Sequence, residues 1–181
     1  MLHPDILRVI ASKDEIENMV KRMGKSITDD YKSKELVVVG VLKGSFMFLA
    51  DLARHIEIDF NIDFISVSSY GFSTKSTGVV RIIKDLDIDI TNKDVLIAED
   101  IIDTGLTLSY IRDMLSQRGV LSIKTAAAFD KPSRREIEIN ADYAGITVPD
   151  EFIVGYGLDY NEKYRNLPYA GILKQEMCKK Q

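Results

Sequence analysis

The chain has 181 residues, 45% apolar and 29% charged, with a formal net charge of −4 and one cysteine, Cys178. That length suits one domain (residues 1–181) with a real core, and the acidic balance argues against a broad nucleic-acid footprint. A lone cysteine excludes an internal disulfide and fits a reducing compartment. Met1-Leu2-His3-Pro4-Asp5 carries neither a basic region nor a long apolar run. No stretch approaches the ~20 apolar residues of a membrane span, so a soluble, cytoplasmic protein with no membrane partner is expected.

Ser12-Lys13-Asp14-Glu15 has the form of a capping box, and Ile16, Met19, Val20, Met23 and Ile27 follow on one helical face. Gly24 either bends that helix or weakens it. Leu36 to Leu42 is apolar, interrupted only by Gly40, and predicts a central strand. Lys43-Gly44-Ser45 then turns into a helix expected to carry Phe46, Leu49, Ala50 and Ala53 inward. Lys43 falls at the carboxyl edge, where strands of open α/β sheets present ligands. Taken alone, it fits a solvated turn equally well.

Phe60, Ile62 and Phe64 alternate with Asp59, Asn61 and Asp63, the period-two pattern of a half-buried strand. It leads into Ser68-Ser69-Tyr70-Gly71, a polar loop over 72–78 and a short strand over 79–83. Residues 85–90 alternate acidic and apolar side chains and read as a surface connection.

Val95-Leu96-Ile97-Ala98 runs straight into Glu99-Asp100-Ile101-Ile102-Asp103, then Thr104-Gly105-Leu106-Thr107. The apolar run predicts a strand buried on both faces of a parallel sheet. Leu108, Ile111 and Leu115 predict a helix after it, closed by Gly119. The free N–H groups of residues 104–107 at a helix start, with two threonine hydroxyls, make a seat for a phosphate. Without a lysine, the loop is not the phosphate loop of ATPases. Three nearby carboxylates would repel a phosphate, a conflict that Mg²⁺ with oxygen ligands resolves, as do sugar hydroxyls donating to Glu99 and Asp100.

A third buried strand is predicted over 123–129, ending in Asp130-Lys131-Pro132-Ser133-Arg134-Arg135. A buried Lys131 would partner a carbonyl oxygen, whereas Arg134 and Arg135 are assigned to solvent. Phe152, beside Ile153-Val154, fits plain core or a stacking role. There are no internal repeats, low-complexity tracts or linkers.

Residues 95–107 closely resemble the phosphoribosyl-pyrophosphate (PRPP) motif of the type I phosphoribosyltransferases. Leu42-Lys43-Gly44, Ser68-Ser69-Tyr70-Gly71, Asp130-Lys131 and the run from Val148-Pro149-Asp150-Glu151-Phe152 to Leu158-Asp159-Tyr160-Asn161 resemble further segments of the hypoxanthine-guanine branch, in family order. The resemblance implies an α/β fold with a mostly parallel central sheet flanked by helices. A small hood would come from the N-terminal segment and about 150–170. It implies Mg²⁺-dependent transfer of 5-phosphoribosyl from PRPP to a 6-oxopurine, releasing pyrophosphate, in a homodimer or homotetramer.

By the same resemblance, Lys43, Gly44 and Arg165 hold pyrophosphate, with a cis peptide between Leu42 and Lys43. Ser69 and Tyr70 belong to a closing loop. Glu99 and Asp100 orient the ribose and its metal, Asp103 is the general base, and Thr104, Gly105, Leu106 and Thr107 seat the 5′-phosphate. Lys131 selects the 6-oxo group, Phe152 stacks on the base, main-chain groups from Ile153 read its edge, and Asp159 contacts the base region and a second Mg²⁺. Two rival classes are a regulator that keeps the PRPP fold but binds nucleic acid, and a transferase for orotate, uracil or adenine. The first needs a basic face; the Lys131 and Phe152–Asp159 segments argue against the second.

Overall fold

A computed structural model describes residues 2–69 and 80–178. In chain order the elements are β1 (Ile6–Ala11), α1 (Lys13–Asp30), β2 (Leu36–Leu42), α2 (Phe46–Ala53), β3 (Phe60–Ser69) and β4 (Val80–Lys84). Then come β5 (Asp94–Ile102), α3 (Leu106–Ser116), β6 (Ser122–Asp130), a 3₁₀ turn (Pro132–Arg134), β7 (Tyr143–Thr147), β8 (Ile153–Val154), β9 (Ala170–Leu173) and α4 (Gln175–Cys178).

Six strands form the main sheet in the order β4-β3-β2-β5-β6-β7. All neighbours are parallel except β4, which runs antiparallel to β3. The uninterrupted apolar runs of β2 and β5 follow from burial on two faces. Leu36, Val38, Leu96 and Ala98 face the core beneath α1 and α2, whereas Val37, Val39, Val95 and Ile97 face the one beneath α3. Strands β1, β9 and β8 form a separate antiparallel sheet, packed through Ile6, Val154 and Leu173.

The capping box forms as predicted: Glu15 N–H donates to Ser12 Oγ at 3.3 Å and Ser12 N–H to Glu15 Oε2 at 2.8 Å. Helix α1 continues through Gly24, where an added Cβ would lie 2.5 Å from the His55 carbonyl. The glycine therefore lets α1 approach the end of α2 closely. The expected inward face of α2 is corrected: Phe48, Leu49 and Leu52 are buried, while Phe46 and Ala50 are exposed. Ser45, fully buried, donates to the Val41 carbonyl at 2.7 Å and fixes that phase.

Strand β3 also departs from the simple alternation. Lying between β2 and β4, it buries Asp63 and Ile65 and leaves Ile62 exposed. Asp63 accepts from the N–H groups of Phe64, Asp87 and Ile88 at 2.6, 2.7 and 2.9 Å, so it organises the connection read from sequence as bare surface.

Candidate active site

The sheet order changes direction between β2 and β5, since β3 lies on one side and β6 on the other. The carboxyl ends of strands at such a switch point frame a crevice. Pairing of Gly40 with Ala98 brings Lys43-Gly44 and Glu99-Asp100 to this edge together. The Leu42–Lys43 peptide is cis, as the resemblance implied. Gly44 lies directly against the Asp100 carboxylate, and an added Cβ would overlap it.

Glu99 is buried and its Oε2 has no hydrogen-bond partner. Burial and then the charge of Asp100 push the Glu99 carboxyl well above the ordinary range. Burial likewise pushes Asp100 up to about 6, against the opposing N–H of Ile101. A pair of adjacent carboxylates, Glu99 buried and Asp100 half-buried, fits a hard cation that takes its other ligands from substrate oxygens and water. Among the described residues there is no group of three or more His, Cys, Asp or Glu side chains arranged for a metal. Asp159 accordingly does not form one ligand cluster with Glu99 and Asp100.

A short turn joins β5 to α3, with Gly105 at φ 87° and Leu106 N–H donating to Thr104 Oγ1 at 3.4 Å. A cavity of about 130 Å³ opens there between the Glu99-Asp100 edge and Thr104, Gly105 and Thr107. Leu106 starts α3, so its main chain belongs to the same helix N-terminus.

Beside this turn lies a wider cavity of about 560 Å³, lined by Asp103, Lys131, Phe152, Ile153 and Asp159 among others. Lys131 is 6% exposed and donates to the Glu151 carbonyl at 3.0 Å. Phe152 is 49% exposed, which settles the choice against plain core, and its ring meets Tyr160 edge-on at 5.3 Å. Ile153 is buried in β8, paired with Ile172.

Arg165 donates to the Gly157 carbonyl at 2.8 Å and pairs with Asp159 at 2.9 Å. Its Nε is buried without a partner. Glu162 lies 3.1 Å from Lys43 Nζ and 3.3 Å from Arg165, bridging the two cations. Sequence reasoning missed Glu162, because nothing in Asn161-Glu162-Lys163 marks a carboxylate held between distant cations.

The assignment of Arg134 and Arg135 to solvent is corrected. Arg134 is half exposed, yet its Nε lies 3.4 Å from Asp103 Oδ1 and its guanidinium 3.7 Å from Asp150. Arg135 is only 12% exposed, pairs with Asp130 and donates to the Ile102 and Asp103 carbonyls. Ser69 ends β3; its side chain, like Tyr70 and the expected closing loop, lies outside the described residues.

Residues 10–161 match the family model of the phosphoribosyl transferase domain. A hypoxanthine-guanine phosphoribosyltransferase of Staphylococcus epidermidis is 54% identical over 179 residues, covering 99% of this chain and 100% of the relative. A crystal structure of a hypoxanthine phosphoribosyltransferase from Staphylococcus aureus superposes with a TM-score of 0.94 at 52% identity, over 97% of this chain and 95% of the other. A hypoxanthine-guanine phosphoribosyltransferase from Bacillus anthracis superposes with a TM-score of 0.89 at 47% identity, over 93% and 99%.

Proposed function

The chain belongs to the phosphoribosyl transferase family, and on that premise we propose that it transfers 5-phosphoribosyl from PRPP to N9 of hypoxanthine or guanine, releasing pyrophosphate. The observation that carries this reading is the wider cavity, where an exposed aromatic, a buried lysine and a carboxylate converge beside the acidic strand end. Phe152 offers its face to a planar base, Lys131 donates to the 6-oxo group, and main-chain groups from Ile153 lie within reach of the base edge. Asp103 takes or stabilises the proton on N7 as N9 attacks C1′.

On the other side of the reacting carbon, residues 104–107 seat the 5′-phosphate, and Lys43, Gly44 and Arg165 hold the departing pyrophosphate. Its arrival would displace Glu162 from the two cations. Ser69 and Tyr70 are assigned to loop closure on the resemblance alone. Glu99 and Asp100 would hold one Mg²⁺ and Asp159 a second, and ions bound there would neutralise charge on the leaving group; the unpartnered Glu99 Oε2 supports the first site. Homodimeric or homotetrameric assembly and a cytoplasmic location complete the reading. Among the described residues no helix is long and apolar enough to cross a membrane.

Incubation with PRPP, Mg²⁺ and each base in turn, assaying nucleotide and pyrophosphate, tests the proposal. Turnover with hypoxanthine or guanine and its loss on chelation are expected. Tight PRPP binding without turnover of any base would overturn it in favour of a regulator.

A further inference from the structure

Arg135, 12% exposed, spends its guanidinium on groups of the protein itself. Its Nη1 donates to two successive main-chain carbonyls, Ile102 at 2.9 Å and Asp103 at 2.5 Å, and its Nη2 pairs with Asp130. The same short segment supplies two further donors. Lys131 N–H reaches the Ile102 carbonyl and Glu136 N–H the Thr104 carbonyl, each at 3.0 Å. Three consecutive carbonyls, of residues 102, 103 and 104, are thus held toward the 131–136 segment.

In a trans peptide the C=O of one residue and the N–H of the next point in opposite directions. Holding those three carbonyls therefore turns the N–H groups of Asp103, Thr104 and Gly105 the other way. Among the described residues, no carbonyl accepts from the N–H of Thr104 or Gly105. We infer that Arg135 is a positioning residue that moulds the anion seat: by anchoring the Ile102 and Asp103 carbonyls it aims the following N–H groups at the 5′-phosphate. The inference rests on the reading of residues 104–107 as that seat.

Arginine suits the task because its planar fork spans two carbonyls and a carboxylate at once, whereas an ammonium offers only a compact point charge. Asp130 keeps the guanidinium charge compensated in its buried position. Without Arg135 the Asp103 carbonyl loses its donor, and the 103–104 peptide is free to rotate.

The test compares equilibrium binding of inosine 5′-monophosphate with that of inosine, which lacks only the phosphate. The wild-type protein should bind the nucleotide far more tightly; equal affinities would refute the phosphate seat itself, not the role of Arg135. In Arg135→Lys, nucleotide affinity should fall roughly tenfold or more, the worth of misdirected hydrogen bonds to a charged group, while inosine affinity stays within about twofold. A merely structural role would weaken both ligands alike. The double variant Asp130→Asn/Arg135→Met removes the buried ion pair together and should show the same phosphate-specific loss if Arg135→Lys fails to fold. Unchanged nucleotide binding in a folded variant, or equal loss of both ligands, would overturn the inference.

Discussion

Lys131 Nζ lies 3.9 Å from Asp103 Oδ2, on the wall of the cavity that Phe152 borders. The group assigned to select the base and the group assigned to handle its proton thus face each other across a single ion-pair distance. The lysine reaches this position because its backbone N–H is fixed to Ile102, the last residue of β5. An ammonium has three donors, so its bond to the Glu151 carbonyl leaves capacity for a purine oxygen.

Lys131→Ala should therefore raise KM for hypoxanthine and reduce the preference for hypoxanthine over adenine. A charged hydrogen bond of this kind is worth ~1.5–3 kcal/mol. The check is kcat/KM for both bases; an unaltered ratio would take Lys131 out of base selection.

Asp103→Asn should lower kcat by roughly 10²–10⁴, the usual worth of a positioned general base. Asp103 Oδ1 makes no hydrogen bond, and the nearest cation to it is Arg134 Nε at 3.4 Å. Asparagine is nearly isosteric, and the Asp103 carbonyl held by Arg135 is untouched. PRPP affinity measured by titration should change far less than kcat. A variant that turns over normally, or one that simply cannot bind PRPP, would contradict the role.

What the sequence revealed, and what it concealed, follows from how local each signal is. The apolar runs of β2 and β5 and the Ser12–Glu15 box carry their structure within a few residues, and all three formed where expected. The phase of α2 was hidden because Phe46-Met47-Phe48-Leu49 is apolar on every side; the buried Ser45 decides it. Strand β1 was hidden because Ile6–Ala11 shows neither clean alternation nor an uninterrupted apolar run, and its partner β9 lies at the far end of the chain. Lys43, Glu99, Asp100, Asp103 and Lys131 stood out as charges at strand ends. Arg135 did not, because its acceptors are mainly main-chain carbonyls, which no side-chain pattern announces.

Asp63 supplies a prediction about pH. Burial pushes its carboxyl up, but the N–H groups of Ile88, Phe64 and Asp87, with Lys84, outweigh that and hold it below the ordinary value. A carboxyl depressed in the folded state stabilises that state above the unfolded value, ~3.9, and loses the effect as pH falls through the lower folded value. Asp63→Asn should thus cost about 1–3 kcal/mol at neutral pH, since one amide oxygen cannot serve all three donors. The gap from wild type should narrow as pH falls below about 3.9, where the unfolded carboxyl is the first to take up a proton, and close once pH passes the lower folded value. Urea midpoints for both proteins at neutral and acid pH measure this; a gap independent of pH would show that the carboxylate charge is irrelevant.

The most demanding prediction concerns Gly157. Its φ of 98° is a conformation that side chains rarely adopt, and an added Cβ would overlap the carbonyl oxygen of Gly44. The obstacle is backbone, so it cannot be relieved by turning a side chain. The Gly157 carbonyl also receives the Arg165 guanidinium, which pairs in turn with Asp159. Gly157→Ala should therefore force apart the two loops that carry Lys43 and Arg165, and weaken binding of the pyrophosphate proposed to lie between them. The strained backbone should cost ~1–3 kcal/mol of stability. Pyrophosphate affinity should fall about tenfold or more as the charge-assisted contacts lose their geometry. The proposed 5′-phosphate seat lies on the β5–α3 turn, so the binding advantage of inosine 5′-monophosphate over inosine should persist. Calorimetric titration with pyrophosphate, read beside that ratio and the unfolding midpoint, distinguishes the outcomes. If both phosphate sites weakened together, the damage would be global and the close packing of Gly157 on Gly44 would have no specific part in holding pyrophosphate.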